Sequence, residues 1–145
     1  MGILDALDTG TGALKAQSLR LDVHAKNVAN VDTPNYVRKI PILNATKEST
    51  FTGAMSDMSS AGSPTQGLLR GGVSFTGVVE DPNLGEKIYK PGHPDADENG
   101  YIRASNVNPT VEMADAILAQ RAYEANLALV NITRAMALKA LDIGK

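Results

Sequence analysis

The chain has no cysteine, no tryptophan, and only two Phe and four Tyr among its 145 residues. The first absence excludes disulfides, thiol catalysis and cysteine-based zinc or iron–sulfur centres. The scarcity of aromatics removes the side chains that supply much of the burial in small cores. Hydrophobic contacts must therefore come from Leu, Ile, Val, Met and Ala, which suit slender helix pairs better than a thick globular core. No stretch approaches the roughly 18 consecutive apolar residues that a membrane-spanning helix requires. The N-terminal segment lacks a basic region followed by an unbroken apolar run, so a cleaved signal peptide is not expected. Gly2 follows Met1 as in a myristoylation start, but position 6 is Ala6 rather than Ser or Thr. A formal net charge of −2 gives no long-range attraction to nucleic acid, and no nucleic-acid partner is expected.

What the chain does contain falls into three parts, 1–36, 37–107 and 108–145. In the first, Leu7, Leu14, Leu21 and Val28 recur at seven-residue spacing, and Leu4 and Ala25 share the interleaved positions with Thr11 and Ser18. This narrow apolar stripe predicts an amphipathic helix from residue 3 to about residue 31. Gly10 and Gly12 oppose it by about 1 kcal/mol each relative to Ala. The third part carries a stronger helix signal from Asn108 to Ile143. Asn108 can cap the helix, Pro109 suits its first position, and Glu112 and Asp115 complement the positive end of its dipole. One stripe runs Leu118, Ala122, Ala125, Leu129, Ile132 and Met136, and Gly144 marks a stop. A helix of that length spans about 50 Å. Two long helices with Ala-containing seams suggest one closely packed antiparallel pair, coiled-coil-like in character.

The middle is of another kind. Between Asn44 and Gly72, 15 of 29 residues are Ser, Thr, Gly or Pro, which predicts a flexible loop over 44–72. Short strand candidates flank it: Tyr36 to Leu43, Val73 to Glu80, Lys87 to Lys90, and Tyr101 to Ala104, with Gly77 marking a bulge. The expected fold is mainly α with a small β region.

The search for chemistry is largely negative. His24 and His93 are far apart in sequence, and a lone helical histidine such as His24 is usually packed or solvated rather than a ligand. Asp95-Ala96-Asp97-Glu98-Asn99-Gly100 matches the start of a calcium loop, but the twelfth position is Asn106 rather than Glu, and Pro91, Gly92 and Pro94 stand where a helix is required. Neither Gly10-Thr11-Gly12 nor Gly71-Gly72 has the strand-then-helix context of a phosphate loop. A hydrolase built on His93, Asp95 and Asp97 lacks a nucleophile and a positioned base. No enzyme activity, cofactor, metal or small-molecule substrate is expected.

The segment Ser18 to Tyr36, with Asn27-Val28-Ala29-Asn30 and Thr33-Pro34-Asn35-Tyr36 at the helix exit, resembles the N-terminal signature of the flagellar axial family of rod, hook and hook-associated proteins. Pro34 disfavours a helical Thr33, and Asn30 and Asp32 can bond to nearby backbone as the helix ends. Many family members have Gly at the position of Asn35, and Asn tolerates the left-handed conformation next best. Tyr89 to Asp97, Gly100-Tyr101 and Asn106-Val107-Asn108 resemble a segment that marks the proximal-rod branch of that family. Glu112-Met113, Ala119, Arg121-Ala122-Tyr123-Glu124, Asn126, Asn131 and Lys139-Ala140-Leu141 fit the same branch.

The resemblance implies a structural subunit of the basal-body rod, exported unfolded by the flagellar type III apparatus without a cleaved signal. It would lie in the periplasmic part of the basal body, its terminal helices packed into the inner tube. Its partners would be further copies of itself, other proximal and distal rod proteins, and adaptor proteins at the export gate and membrane ring. Subunit contacts would then fall on Leu7, Leu14, Leu21, Val28, Asn30, Pro34 and Tyr36, and on Leu118, Arg121, Tyr123, Ala125, Asn126, Leu129, Ile132 and Met136. The alternative from composition alone is a monomeric helical adaptor or chaperone-like module using the same seams on a partner helix. Met113, Ile117, Leu127, Val130 and Leu138 lie off the named stripe, so one helix pair cannot cover all the apolar surface. Left exposed in a monomer, such surface is an aggregation hazard, whereas stacked subunits would bury it.

Overall fold

A computed structural model describes residues 3–46 and 72–143. Most of the loop expected over 44–72, together with Gly144 and Lys145, lies outside the described residues. Its edges are corrected: Asn44 to Thr46 close one strand and Gly72 opens the next. In chain order the elements are helix α1 (Ile3–Ala29), strands β1 (Lys39–Thr46), β2 (Gly72–Glu80), β3 (Lys87–Tyr89) and β4 (Tyr101–Arg103), and helix α2 (Pro109–Ile143). The protein is thus mainly helical with a small antiparallel β region.

The helix ends follow their local chemistry. Asn108 caps α2 by accepting hydrogen bonds at Oδ1 from the Thr110 and Val111 amides, at 3.1 and 3.4 Å. At the exit of α1, Asn30 Nδ2 donates to the Lys26 carbonyl at 2.8 Å, and Thr33 Oγ1 donates to Asn30 Oδ1 at 3.2 Å. Asn35 takes the left-handed conformation at φ 60°, where its amide donates to the Arg103 carbonyl at 2.8 Å. That turn swings the chain from α1 into β1.

β1 and β2 pair antiparallel from Lys39 with Glu80 to Thr46 with Gly72. The register shifts between Ile42 and Leu43, opposite Gly77 and Phe75, so Thr76 is the extra residue of a bulge beside Gly77. Pro41 is accommodated inside β1. β3 and β4 form a second, shorter hairpin that buries Ile102 and stacks Tyr89 edge-on against Tyr101, ring centroids 5.2 Å apart. The turn before β4 is closed by Asp97, whose Oδ1 accepts from the amides of Asn99 and Tyr101 at 2.9 and 2.8 Å. The carboxylate with the outline of a calcium ligand is therefore spent on a turn.

α1 is the central element, packed on α2 along one side and on the β1–β2 hairpin along another. Gly10 meets Val130, and His24 meets Glu112, so the two helices run in opposite directions. A Cβ placed on Gly10 would lie 2.5 Å from Val130 Cγ2. The helix-disfavouring glycine is thus what lets the backbones approach. Among the described residues the buried apolar ones are small or slender, namely Ala16, Val23, Ile102, Val107 and Ala119.

Candidate assembly interface

Two features define the surface that this protomer presents: a polar knot that fixes its inner geometry, and an apolar helix face left outside. The knot starts with Glu112, in the first turn of α2, whose side chain is fully buried. Its Oε2 pairs with His24 Nδ1 at 2.7 Å and accepts from Asn27 Nδ2 at 2.9 Å; its Oε1 accepts from Arg38 Nε at 2.5 Å. Burial alone would push the Glu112 carboxyl up. The hydrogen bonds from Asn27, His24 and Arg38 outweigh that and hold it below its ordinary value.

Asn27, also fully buried, uses its amide as a piece of strand. Its Nδ2 donates to the Lys39 carbonyl at 2.7 Å and its Oδ1 accepts the Lys39 amide at 3.0 Å. The same Oδ1 accepts from Tyr36 Oη at 3.0 Å. Tyr36 is raised above its ordinary value, first by burial and then by the negative charge of Glu112. Arg38 spans the knot, with Nη1 3.6 Å from Asp81 Oδ2 and Nη2 3.9 Å from Asp115 Oδ2. Its hydrogen bond to Glu112 raises its already high value, against the opposing effect of burial. The Arg38 amide donates to Asn106 Oδ1 at 2.6 Å, and Asn106 Nδ2 donates in turn to the Asn83 carbonyl. One buried carboxylate therefore ties the end of α1, the start of α2, the strap into β1 and the segment before α2 into one unit. Nothing in this arrangement supplies a nucleophile, and among the described residues no group of three or more potential ligands could hold a metal ion.

The outer face is the reverse. The side of α2 turned to α1 carries Glu112, Ala119, Ala122, Tyr123, Asn126 and Val130, buried or half-buried. Most of the stripe expected to pair with α1 is left outside: Leu118, Ile132 and Met136 are 58, 59 and 63% exposed, Leu129 lines a hollow at the margin with Gly12 and Ala16 of α1, and Ala122 alone of the stripe is half-buried on the inner side. Arg121 and Ala125 share that exposed side. The seam assignment within the protomer is corrected accordingly. The most hydrophobic stripe of α2 is not its inner one: Val130 stands opposite Gly10, and the inner line also holds Glu112, Ala119 and Asn126. On α1, Leu7, Leu14, Leu21 and Val28 are half-buried, flanking a deeper line of Gly10, Ala16, Val23, His24 and Asn27. Of the remaining candidates, Asn30 and Pro34 shape the turn after α1, and Tyr36 enters the knot. His24 and Glu112 were read from sequence as an ordinary helical histidine and a dipole-compensating carboxylate. Their partnership was missed because they stand 88 positions apart.

Comparison with known proteins gives the class. Residues 7–36 match the profile described as flagella basal body rod protein, and residues 98–143 match the profile of the flagellar basal body rod FlgEFG protein C-terminal region. These two segments hold α1 with its turn and α2 with the strand before it.

Full-length relatives narrow the class. The chain is 36% identical to the flagellar basal-body rod protein FlgC of Bacillus subtilis, 35% to that of Yersinia enterocolitica and 34% to that of Salmonella typhimurium, each comparison covering 100% of both chains. The chain belongs to the FlgC family of flagellar basal-body rod proteins. It is a structural rod subunit rather than an enzyme.

Proposed function

We propose that the exposed apolar stripe of α2 is the surface through which this rod subunit joins its neighbours, and that the polar knot sets the protomer geometry on which that joining depends. The observation that carries the reading is the exposure of Leu118, Leu129, Ile132 and Met136 along one stripe of a helix that also leaves Met113, Ile117 and Leu138 exposed. A single apolar residue on a surface is ordinary, but a continuous stripe of them marks an interaction site. Arg121 and Ala125 lie within that interface; Tyr123 and Asn126 lie half-buried on the side of α2 turned to α1. On α1, the half-buried Leu7, Leu14, Leu21 and Val28 complete a coiled-coil-like core when helices of adjacent subunits close around them. Asn30, Pro34 and Tyr36 present the turn after α1 to the next subunit.

In this reading the protein occupies the periplasmic rod, having passed through the type III export apparatus without a cleaved signal. It contacts other copies of itself, other proximal and distal rod proteins, and adaptor proteins at the export gate and membrane ring. Replacing Ile132 with Asp in a tagged chain, expressed in cells lacking their own copy, tests the proposal. The unsubstituted chain is expected in isolated basal bodies and the variant is expected to be missing from them. Equal recovery of both would remove the stripe as the joining surface, and absence of the unsubstituted chain would remove the rod assignment.

A further inference from the structure

The turn between β3 and β4 carries a reactive pair that has no part in the joining surface. Of the asparagines in the chain, Asn99 alone is followed by glycine, Gly100; every other one precedes a residue whose side chain crowds the next backbone nitrogen. Glycine has no Cβ, so here that nitrogen is open to the side-chain amide. Once the Gly100 nitrogen gives its proton to hydroxide, it can attack Cγ of Asn99. A cyclic imide forms as the Cγ–Nδ2 bond breaks, and the departing nitrogen takes a proton from water and leaves as ammonia, regenerating hydroxide. Water then opens the ring on either side of the imide nitrogen. Breaking the bond to Cγ leaves aspartate, and breaking the bond to the main-chain carbonyl leaves isoaspartate. Nothing is oxidised or reduced.

The folded turn stands in the way of this chemistry. The Gly100 amide donates to the Asp97 carbonyl at 2.9 Å, so the nitrogen that must attack is held as a hydrogen-bond donor. Asp97 Oδ1 accepts from the amides on either side, Asn99 at 2.9 Å and Tyr101 at 2.8 Å. The strands clamp the same residues, with the Lys90 amide donating to the Gly100 carbonyl at 2.8 Å and the Asp97 amide to the Tyr101 carbonyl at 2.9 Å. Gly100 sits at φ 79°, and a Cβ there would lie 3.0 Å from Pro91 Cβ and 3.1 Å from the Tyr89 ring. The turn therefore requires the glycine that makes Asn99 vulnerable. Asn99 itself is exposed, so water reaches it and the restraint is conformational.

We propose that Asn99 is a site of spontaneous deamidation to aspartate and isoaspartate, and that Asp97 guards it by holding the turn closed. Reaction proceeds from the opened hairpin, so the folded rate is the open-chain rate reduced by the opening equilibrium. Isoaspartate adds a methylene to the main chain between the Asn99 and Gly100 amides. Asp97 Oδ1 then loses the register in which it meets both the Asn99 and the Tyr101 amide, and the modified turn does not reclose as before.

The test follows the purified full chain at mildly alkaline pH, with peptide mapping by mass spectrometry and chromatographic separation of the isoaspartyl product. In denaturant, Asn99 should convert faster than any other asparagine. In the folded chain its conversion should be at least about tenfold slower, as for a reaction gated by local opening. Asp97→Ala, with its helices verified by circular dichroism, should regain most of the denatured rate, whereas Asp97→Asn keeps an acceptor and should stay near the unsubstituted chain. Tyr89→Ala removes the ring set against Tyr101 without touching the turn; it should also raise the folded rate, and it decides the matter if Asp97→Ala loses its helices. In denaturant all variants should match the unsubstituted chain, and a variant faster there as well would place its effect in the local sequence and not in the turn. No preference for Asn99 in denaturant would overturn the site. Equal folded and denatured rates would overturn the guard, as would Asp97→Ala, or Tyr89→Ala in its place, reacting as slowly as the unsubstituted folded chain.

Discussion

The two ends of the helix pair are held in contrasting ways. Where α1 ends and α2 begins, a buried carboxylate gathers His24, Asn27 and Arg38, and the neighbouring strap and hairpins are tied in through Tyr36, Lys39 and Asn106. Toward the other end the contact is apolar, Gly10 against Val130, and large apolar residues are exposed along the whole of α2. One end specifies the protomer by directional bonds. The protomer is thus fixed in geometry by directional bonds where α1 ends and α2 begins, while large apolar side chains of α2 stay exposed.

The sharpest way to break that contrast is at the knot. Replacing Glu112 with Ala strands the Arg38 charge and the polar groups of Asn27 and His24 in a buried site. Removing one member of a buried ionic network typically costs about 3–5 kcal/mol, so chemical denaturation should show a loss of that order. A loss below about 1 kcal/mol would mean that the knot does not hold the protomer. Next in size is Gly10→Val, which drives a branched side chain into Val130. Overpacking of this kind costs about 1–3 kcal/mol, more than the helix propensity that the substitution regains. Unchanged stability would show that the close approach is not maintained in solution.

Acidification provides a smaller, graded test. The folded-state value of Glu112 is lowered from the ordinary 4.5. Its contribution to stability is therefore fully present above that ordinary value, and is lost as the pH falls through the depressed one. The denaturation midpoint should decline over that acidic window in the native chain. Glu112→Gln, already less stable, should decline less steeply. Parallel curves for the two proteins would show that another carboxylate governs the acid response. The smallest expected effect is at the outer face: Leu118→Ser should change the stability of the dilute protein by no more than about 0.5 kcal/mol, as for other exposed positions.

The same contrast explains what the sequence discloses. Both long helices, the Asn108 cap, the bulge beside Gly77 and the hairpin positions follow from spacing and local propensity, because those signals lie within a few residues. The orientation of α2 about its axis did not. Ranking its faces by hydrophobicity selects Leu118, Ala122, Ala125, Leu129, Ile132 and Met136, yet of these Ala122 alone is on the inner face, with Glu112, Ala119, Asn126 and Val130. The retained Gly10 was the available sign, a helix-weakening residue that stays because a partner backbone needs the space. The knot is harder to see. Its members are drawn from residues 24, 27, 36, 38, 106 and 112, and no local period joins them. His24 and Asn27, beside Val23 on the buried line of α1, mark it only once the facing Glu112 is known.

The central claim is that the α2 stripe serves assembly and not the stability of the protomer. One variant, Ile132→Asp, separates the two. Its thermal unfolding in dilute solution and its recovery in isolated basal bodies should be measured side by side with the unsubstituted chain. An unfolding midpoint within a few degrees of the parent, with the variant absent from the basal bodies, is the predicted result. A normal amount in the basal bodies, or an unfolded dilute protein, would contradict it.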